Sequence, residues 1–157
     1  PCFAILFFYP YLSTKDSFFF NVDPFEVLFM NLIESQSLIL VAQLIVSLSV
    51  LKVWLVNHRQ PTMWRGGNSQ TLKEEFSSYG LPDWMMYTVG GLKVAFSIGL
   101  IAGIWIPEII QFSALGIAFF MFSAILMHIK INDPLYKSLP AGIFLTLTVL
   151  IALFVEN

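Results

Sequence analysis

Residues 84–106 read WMMYTVGGLKVAFSIGLIAGIWI, with one charge, Lys93, in an otherwise uncharged run. An α-helix needs about 20 apolar residues to cross a hydrocarbon layer of ~30 Å, so the stretch predicts a membrane-spanning helix. Residues 38–56, 110–128 and 139–155 have the same length and character. Four such runs, joined by one long loop and two short connections, predict an all-α integral membrane four-helix bundle with antiparallel, up-down topology.

Composition agrees. The 157 residues are 57% hydrophobic and only 11% charged, against about 25% charged in soluble domains. Mean hydropathy is +0.79. Four spans use about half the chain at ~20 residues each, which leaves no room for a separate soluble domain. The net charge of -2 comes without any basic run, which argues against a nucleic-acid ligand. Cys2 is the single cysteine, so a disulfide framework, a CxxC pair and a thiolate metal site are all excluded.

Residues 30–157 read as one transmembrane domain. Residues 1–29 are aromatic-rich, broken at Pro10, and lack the basic start and cleavage site of a signal peptide. Two readings stand for them: an interfacial arm on the membrane, or a segment upstream of a natural start at Met30. The first helix is expected to begin between 31 and 37 and to end near Asn57, before Pro61.

The loop 57–83 contains Thr71-Leu72-Lys73-Glu74, which has capping-box spacing. A short helix following it puts Leu72, Phe76 and Tyr79 on one side and stops at Gly80. Its aromatics are expected in the headgroup zone. In the second span Gly91, Ala95, Gly99 and Gly103 recur every four residues, a stripe that lets a neighbouring backbone come close. Gln43 and Ser47 are expected to bond to a neighbouring helix.

Basic residues set the expected orientation. Arg59, Arg65 and Lys73 lie in the first loop and Lys130 and Lys137 in the third, while the Pro107-Glu108 turn has none. Loops 57–83 and 129–138 are therefore expected in the cytoplasm, with both termini outside. Trp54, Trp64, Trp84 and Tyr87 would mark the cytoplasmic interface, and Trp105 the opposite one.

Three ionisable groups lie at or near membrane depth, where a charge costs ~2.5 kcal/mol or more. Lys93 sits nine residues past Trp84, about 13 Å deep at 1.5 Å per residue. It shares a helical face with Ser97, and is either a cation facing a polar cavity or a snorkelling side chain. Lys52 and Ser49 are candidates for the same pocket, although Lys52 is near enough to its helix end to snorkel. His128 closes the third span, where a helix C-terminus favours a cation; a ligand contact or proton relay is the alternative. A cation-lined pocket of this kind suits an anionic or carbonyl-bearing ligand. His58 and His128 are the only histidines, so a bis-histidine haem is disfavoured. Neither a carboxylate cluster for metal nor a nucleophile with its base is visible.

Several motifs occur together in order: Ser49-x-x-Lys52, Gly80-Leu81-Pro82-x-Trp84, Gly90-Gly91-x-Lys93, Gly99-Leu100-x-x-Gly103, Met127-His128-x-Lys130-x-x-Asp133-Pro134 and Lys137-x-Leu139-Pro140. From Met30 to the C-terminus the chain resembles the DoxX-like family. The resemblance implies a small four-helix protein of the bacterial inner (plasma) membrane, in a family named for subunits associated with thiosulfate:quinone oxidoreductase. Set beside the cation-lined pocket, the resemblance leads to the expectation of an accessory subunit without independent catalysis, in which a bound quinone would meet Lys93, Lys52 and His128. A redox-enzyme subunit or a second copy of the chain would be the partner. Many members carry glutamate at the Lys93 position, so a role built on that carboxylate does not transfer. A membrane scaffold or assembly factor is the alternative, and a small-solute carrier a weaker one, since four spans without an inverted repeat are few for a carrier.

Overall fold

A computed structural model describes the backbone of residues 24–155 and the side chains of 36–155. Most of the expected arm 1–29 lies outside the described residues. Of the described residues, 33–155 form one compact unit, and 24–32 fall outside it.

The described residues hold no strand. The elements are α1 (Pro24–Leu51), continued by a π-helical turn at Lys52–Val56, then α2 (Leu72–Ser78), α3 (Asp83–Ala102), α4 (Glu108–Lys130), a 3₁₀ turn at Leu135–Ser138, and α5 (Leu139–Phe154). α1 starts earlier than the expected 31–37, at a proline that loses nothing in the first helical turn. α3 stops at Ala102, short of the expected 106. Gly103 packs where α4 approaches, and Pro107 prevents the helix from continuing.

Four helical segments are long and apolar enough to cross a membrane: Gln36–Val56, Asp83–Ala102, Glu108–Lys130 and Leu135–Phe154. Their outer faces are apolar at mid-length, with Ile98, Phe112, Leu115, Phe119 and Leu150 exposed. That surface suits lipid and would be costly in water. The inner faces of α1, α3, α4 and α5 share one core built on Val46, Leu100, Ile117 and Ile151.

Small residues and backbone acceptors let the helices close. A Cβ on Gly99 would collide with Ser113, and one on Gly103 with Ile110, so these two glycines seat α3 on α4. Gly91 has open space around it and Ala95 is exposed. The expected four-residue stripe therefore divides, because residues eight and twelve apart drift round a 3.6-residue helix. Gly90, just outside the stripe, is the glycine that receives α1, through the Trp54 ring.

Gln43 donates to the Leu100 carbonyl across the α1–α3 seam, as expected for a neighbour-bonding residue. Ser47 instead donates to its own helix, at Gln43 O, 2.6 Å. Trp84 and Tyr87 are exposed at the loop end and Trp105 at the other, as interface aromatics are. Trp54 departs from that expectation: it turns inward, edge-on to Phe76 at 6.1 Å.

Candidate functional site

The site is built on α2. Thr71 caps it, accepting from Glu74 N at 3.2 Å, while Glu74 accepts from Gln70 N at 2.8 Å. The stripe of α2 that faces inward is Leu72, Glu75, Phe76 and Tyr79, all buried. The expectation that its aromatics lie in the headgroup zone is corrected here. Phe76 meets Trp54, and Tyr79 lies edge-on to the His128 ring at 5.8 Å. The physical reason is Glu75, which shares the stripe and finds its partners in Arg65, Gly66 N and the Tyr79 hydroxyl instead of in water.

Arg65 supplies the charge. Its guanidinium bonds Glu75 Oε2 at 3.1 Å and also donates to Asn57 O at 2.8 Å and Gln60 O at 2.9 Å. Glu75 Oε1 accepts from Gly66 N at 2.9 Å and from the Tyr79 hydroxyl at 3.0 Å. The Tyr79 oxygen lies 3.4 Å from His128 Nε2. On its other side His128 Nδ1 lies 2.8 Å from Asp133 Oδ2. Asp133 also takes Lys137 Nζ at 3.2 Å and Gly67 N at 3.1 Å. A continuous ladder of buried polar groups thus ties both loops to the end of α4.

Electrostatics follow from this packing. Burial, then the neighbouring Glu75 carboxylate, pushes the Tyr79 hydroxyl far above its ordinary value, so it stays a protonated donor. Burial alone would raise the Asp133 carboxyl. The His128 ring, the Gly67 N–H and the Lys137 ammonium together outweigh it and hold that carboxyl below its ordinary value.

Above the ladder lies a cavity of about 220 Å³. Lys93, His128, Arg65, Glu75 and Lys137 contribute its polar wall; Val50, Met121 and Phe144 contribute apolar wall. A second cavity of about 310 Å³ runs towards Phe120 and Met127, and Trp54, Glu75 and Lys93 line both. Lys93 is 8% exposed. Its ammonium lies 5.4 Å from the Trp54 ring centroid, a cation–π contact. Among the described residues it has no hydrogen bond and no ion pair. Arg65 and Lys137, by contrast, are each held by a carboxylate.

Lys93, His128 and Ser49 therefore line one cavity. Ser97 lies beneath it, fully buried, and donates to Lys93 O at 2.8 Å. Lys52 does not join them. It is exposed, because Val50 and Trp54 hold the inward positions and a residue midway between them points outward. Arg65, Glu75, Tyr79, Asp133 and Lys137 were not among the expected site residues. A signal existed for Glu75, which shares the 72/75/76/79 helical stripe, and for Asp133 and Lys137, four residues apart. Among the described residues no group of three His, Cys, Asp or Glu is placed to hold a metal ion.

A family model described as the DoxX-like family matches residues 39–151. The chain belongs to the DoxX-like family. The matched region takes in the whole ladder from Arg65 to Lys137 and the Lys93 cavity. Neither a curated protein nor a solved structure matches the chain. With its spanning helices, this DoxX-like chain is an integral membrane protein. Its site can hold a ligand that offers an acceptor to Lys93 and an apolar remainder to the cavity walls.

Proposed function

We propose that this DoxX-like protein is an accessory membrane subunit of a quinone-linked redox system, with the Lys93 cavity receiving the quinone head. The observation that supports this reading is Lys93: a residue only 8% exposed whose ammonium has, among the described residues, neither hydrogen bond nor ion pair and is set on the wall of a largely apolar cavity. A charged donor that opens onto a largely apolar cavity is poorly solvated, and a carbonyl oxygen offers it an acceptor without a second full charge. A quinone, when bound, supplies electron-carrying chemistry. The chain's own residues bind and orient it. Lys93 donates to a ring oxygen, Trp54 steadies the ammonium, and Val50, Met121 and Phe144 exclude water. Lys52, being exposed, takes no part. In this reading a partner subunit delivers the electrons, and the basic loops favour a cytoplasmic position for the site's loop end in a bacterial inner membrane.

The test is titration of detergent-purified protein with a short-tailed quinone, followed by tryptophan fluorescence. A hydrogen bond from a charged donor contributes about 1.5–3 kcal/mol, so Lys93→Leu should weaken binding by about tenfold or more while the protein keeps its melting temperature. Equal affinity in the two proteins would remove the reading.

A second reading, a membrane scaffold or assembly factor, draws support from one observation. Gly91 and Ala95 face outward from α3 with nothing packed on Gly91, so a partner helix can approach there. Gly91→Leu should then release a co-purifying membrane protein without unfolding the chain; a partner retained at full yield argues against it.

A further inference from the structure

Two more cavities lie along the α1–α3 seam. The deeper, about 330 Å³, is bounded by Leu55, Gly90, Gly91 and Val94. The outer, about 320 Å³, is bounded by Arg59, Thr71 and Lys73. His58 and Tyr87 line both. Three chemical zones follow one another from the loop inward. Arg59 stands at the edge, His58 lies below it, and the apolar groove continues to Val94, about 10 Å deeper than Tyr87 at 1.5 Å per residue.

Two groups here lack partners. His58 Nδ1 is, among the described residues, the one buried side-chain polar atom without a hydrogen bond. Buried polar atoms are nearly always paired, so this orphan leaves His58 able to take one further hydrogen bond. The Arg59 guanidinium is exposed and, among the described residues, has neither ion pair nor hydrogen bond. The neighbouring groups are already engaged. Lys73 pairs with Asp83 at 2.8 Å, and the Thr71 hydroxyl serves Glu74.

We propose that this seam is a binding site for one anionic glycerophospholipid, with its phosphate on Arg59, a glycerol or ester oxygen on the His58 ring once that ring turns its shielded Nδ1 towards the cavity, and the upper part of an acyl chain in the groove beside Gly90 and Gly91. The order of zones in the protein is the order of zones in the lipid. A water molecule would satisfy His58 but would leave the Arg59 charge and the apolar groove without a role. Arginine suits the outer position because its fork matches phosphate oxygens and stays charged at every relevant pH. The site stands apart from the quinone reading and does not depend on it.

Native mass spectrometry of delipidated protein, offered equal phosphatidylglycerol and phosphatidylcholine, tests the proposal. Wild type should retain one phosphatidylglycerol in preference. One basic residue near an anionic headgroup accounts for about a fivefold difference, so Arg59→Gln should lower phosphatidylglycerol occupancy by about that factor and leave phosphatidylcholine unchanged. His58→Phe should lower occupancy by both lipids. Arg59 is exposed, so its variant should melt with wild type. Three results would each overturn the proposal: no preference for phosphatidylglycerol in wild type, undiminished preference in Arg59→Gln, or equal competition by glycerol phosphate without chains. Lys93→Leu should keep the lipid; loss of it there would place the lipid in the Lys93 cavity and overturn the proposal equally.

Discussion

Arg65→Met severs the contact that holds α2 on the bundle end. The guanidinium and the Glu75 carboxylate are 3.1 Å apart, with side-chain exposures of 5% and 12%. Solvent screens such a pair little, so the low values typical of surface ion pairs do not apply. Removing one partner of a buried pair costs about 3–5 kcal/mol, chiefly because the other charge is left uncompensated. Glu75 keeps two donors, Gly66 N and the Tyr79 hydroxyl, which argues for the lower end of that range. The released carbonyls of Asn57 and Gln60 sit in a loop where water can reach them, so they add little. A loss of about 3 kcal/mol is a factor of over 100 in an opening equilibrium. Hydrogen–deuterium exchange in detergent should therefore show the amides of residues 72–79 exchanging about 100-fold faster, with the centres of α4 and α5 unchanged. The double variant Arg65→Met with Glu75→Leu should recover most of the loss, because no charge is then left buried. A change below about 1 kcal/mol in the single variant, or no recovery in the double, would refute the claim that this pair fastens α2.

Two further outcomes concern packing and pH. Gly99→Leu drives a side chain into Ser113 and should cost at least about 1–3 kcal/mol in a melting experiment, whereas Gly91→Leu meets open space and should stay within about 0.5 kcal/mol of wild type; equal effects would deny that α3 presents two different faces. Asp133 has a carboxyl pKa lowered on folding, so its contribution is complete above the ordinary aspartate value and is lost as pH falls through the lowered one. The melting difference between wild type and Asp133→Asn should accordingly hold steady from pH 7 to pH 5 and shrink in stronger acid; a difference that grows on acidification would contradict the assigned sign.

Much of the fold was legible because its signals are local. Apolar length marks a span wherever it occurs, and Thr71 with Glu74 marks the start of α2 through four consecutive residues. The site was legible only in part. Lys93 stood out as a charge inside an apolar run, and it lines a cavity at the bundle end. Lys52 also stood out as a charge in an apolar run and lies outside, because the angle at which its helix meets its neighbours turns it away from the cavity. The stripe from Gly91 to Gly103 likewise divided between an inner and an outer face once the helix had a real axis and real neighbours.

The sequence by itself determined the solvent, the number of spans and the capped helix in the long loop. Each of these depends on hydrophobicity and propensity summed over adjacent residues. Only the tertiary structure decided that Glu75 answers to Arg65, that His128 bridges Tyr79 and Asp133, that Gly67 bonds Asp133 from 66 residues away, and that Lys93 has no ion pair among the described residues. Partner choice among buried polar groups depends on distances of a few ångströms between remote parts of the chain. Those distances exist only once the helices have packed.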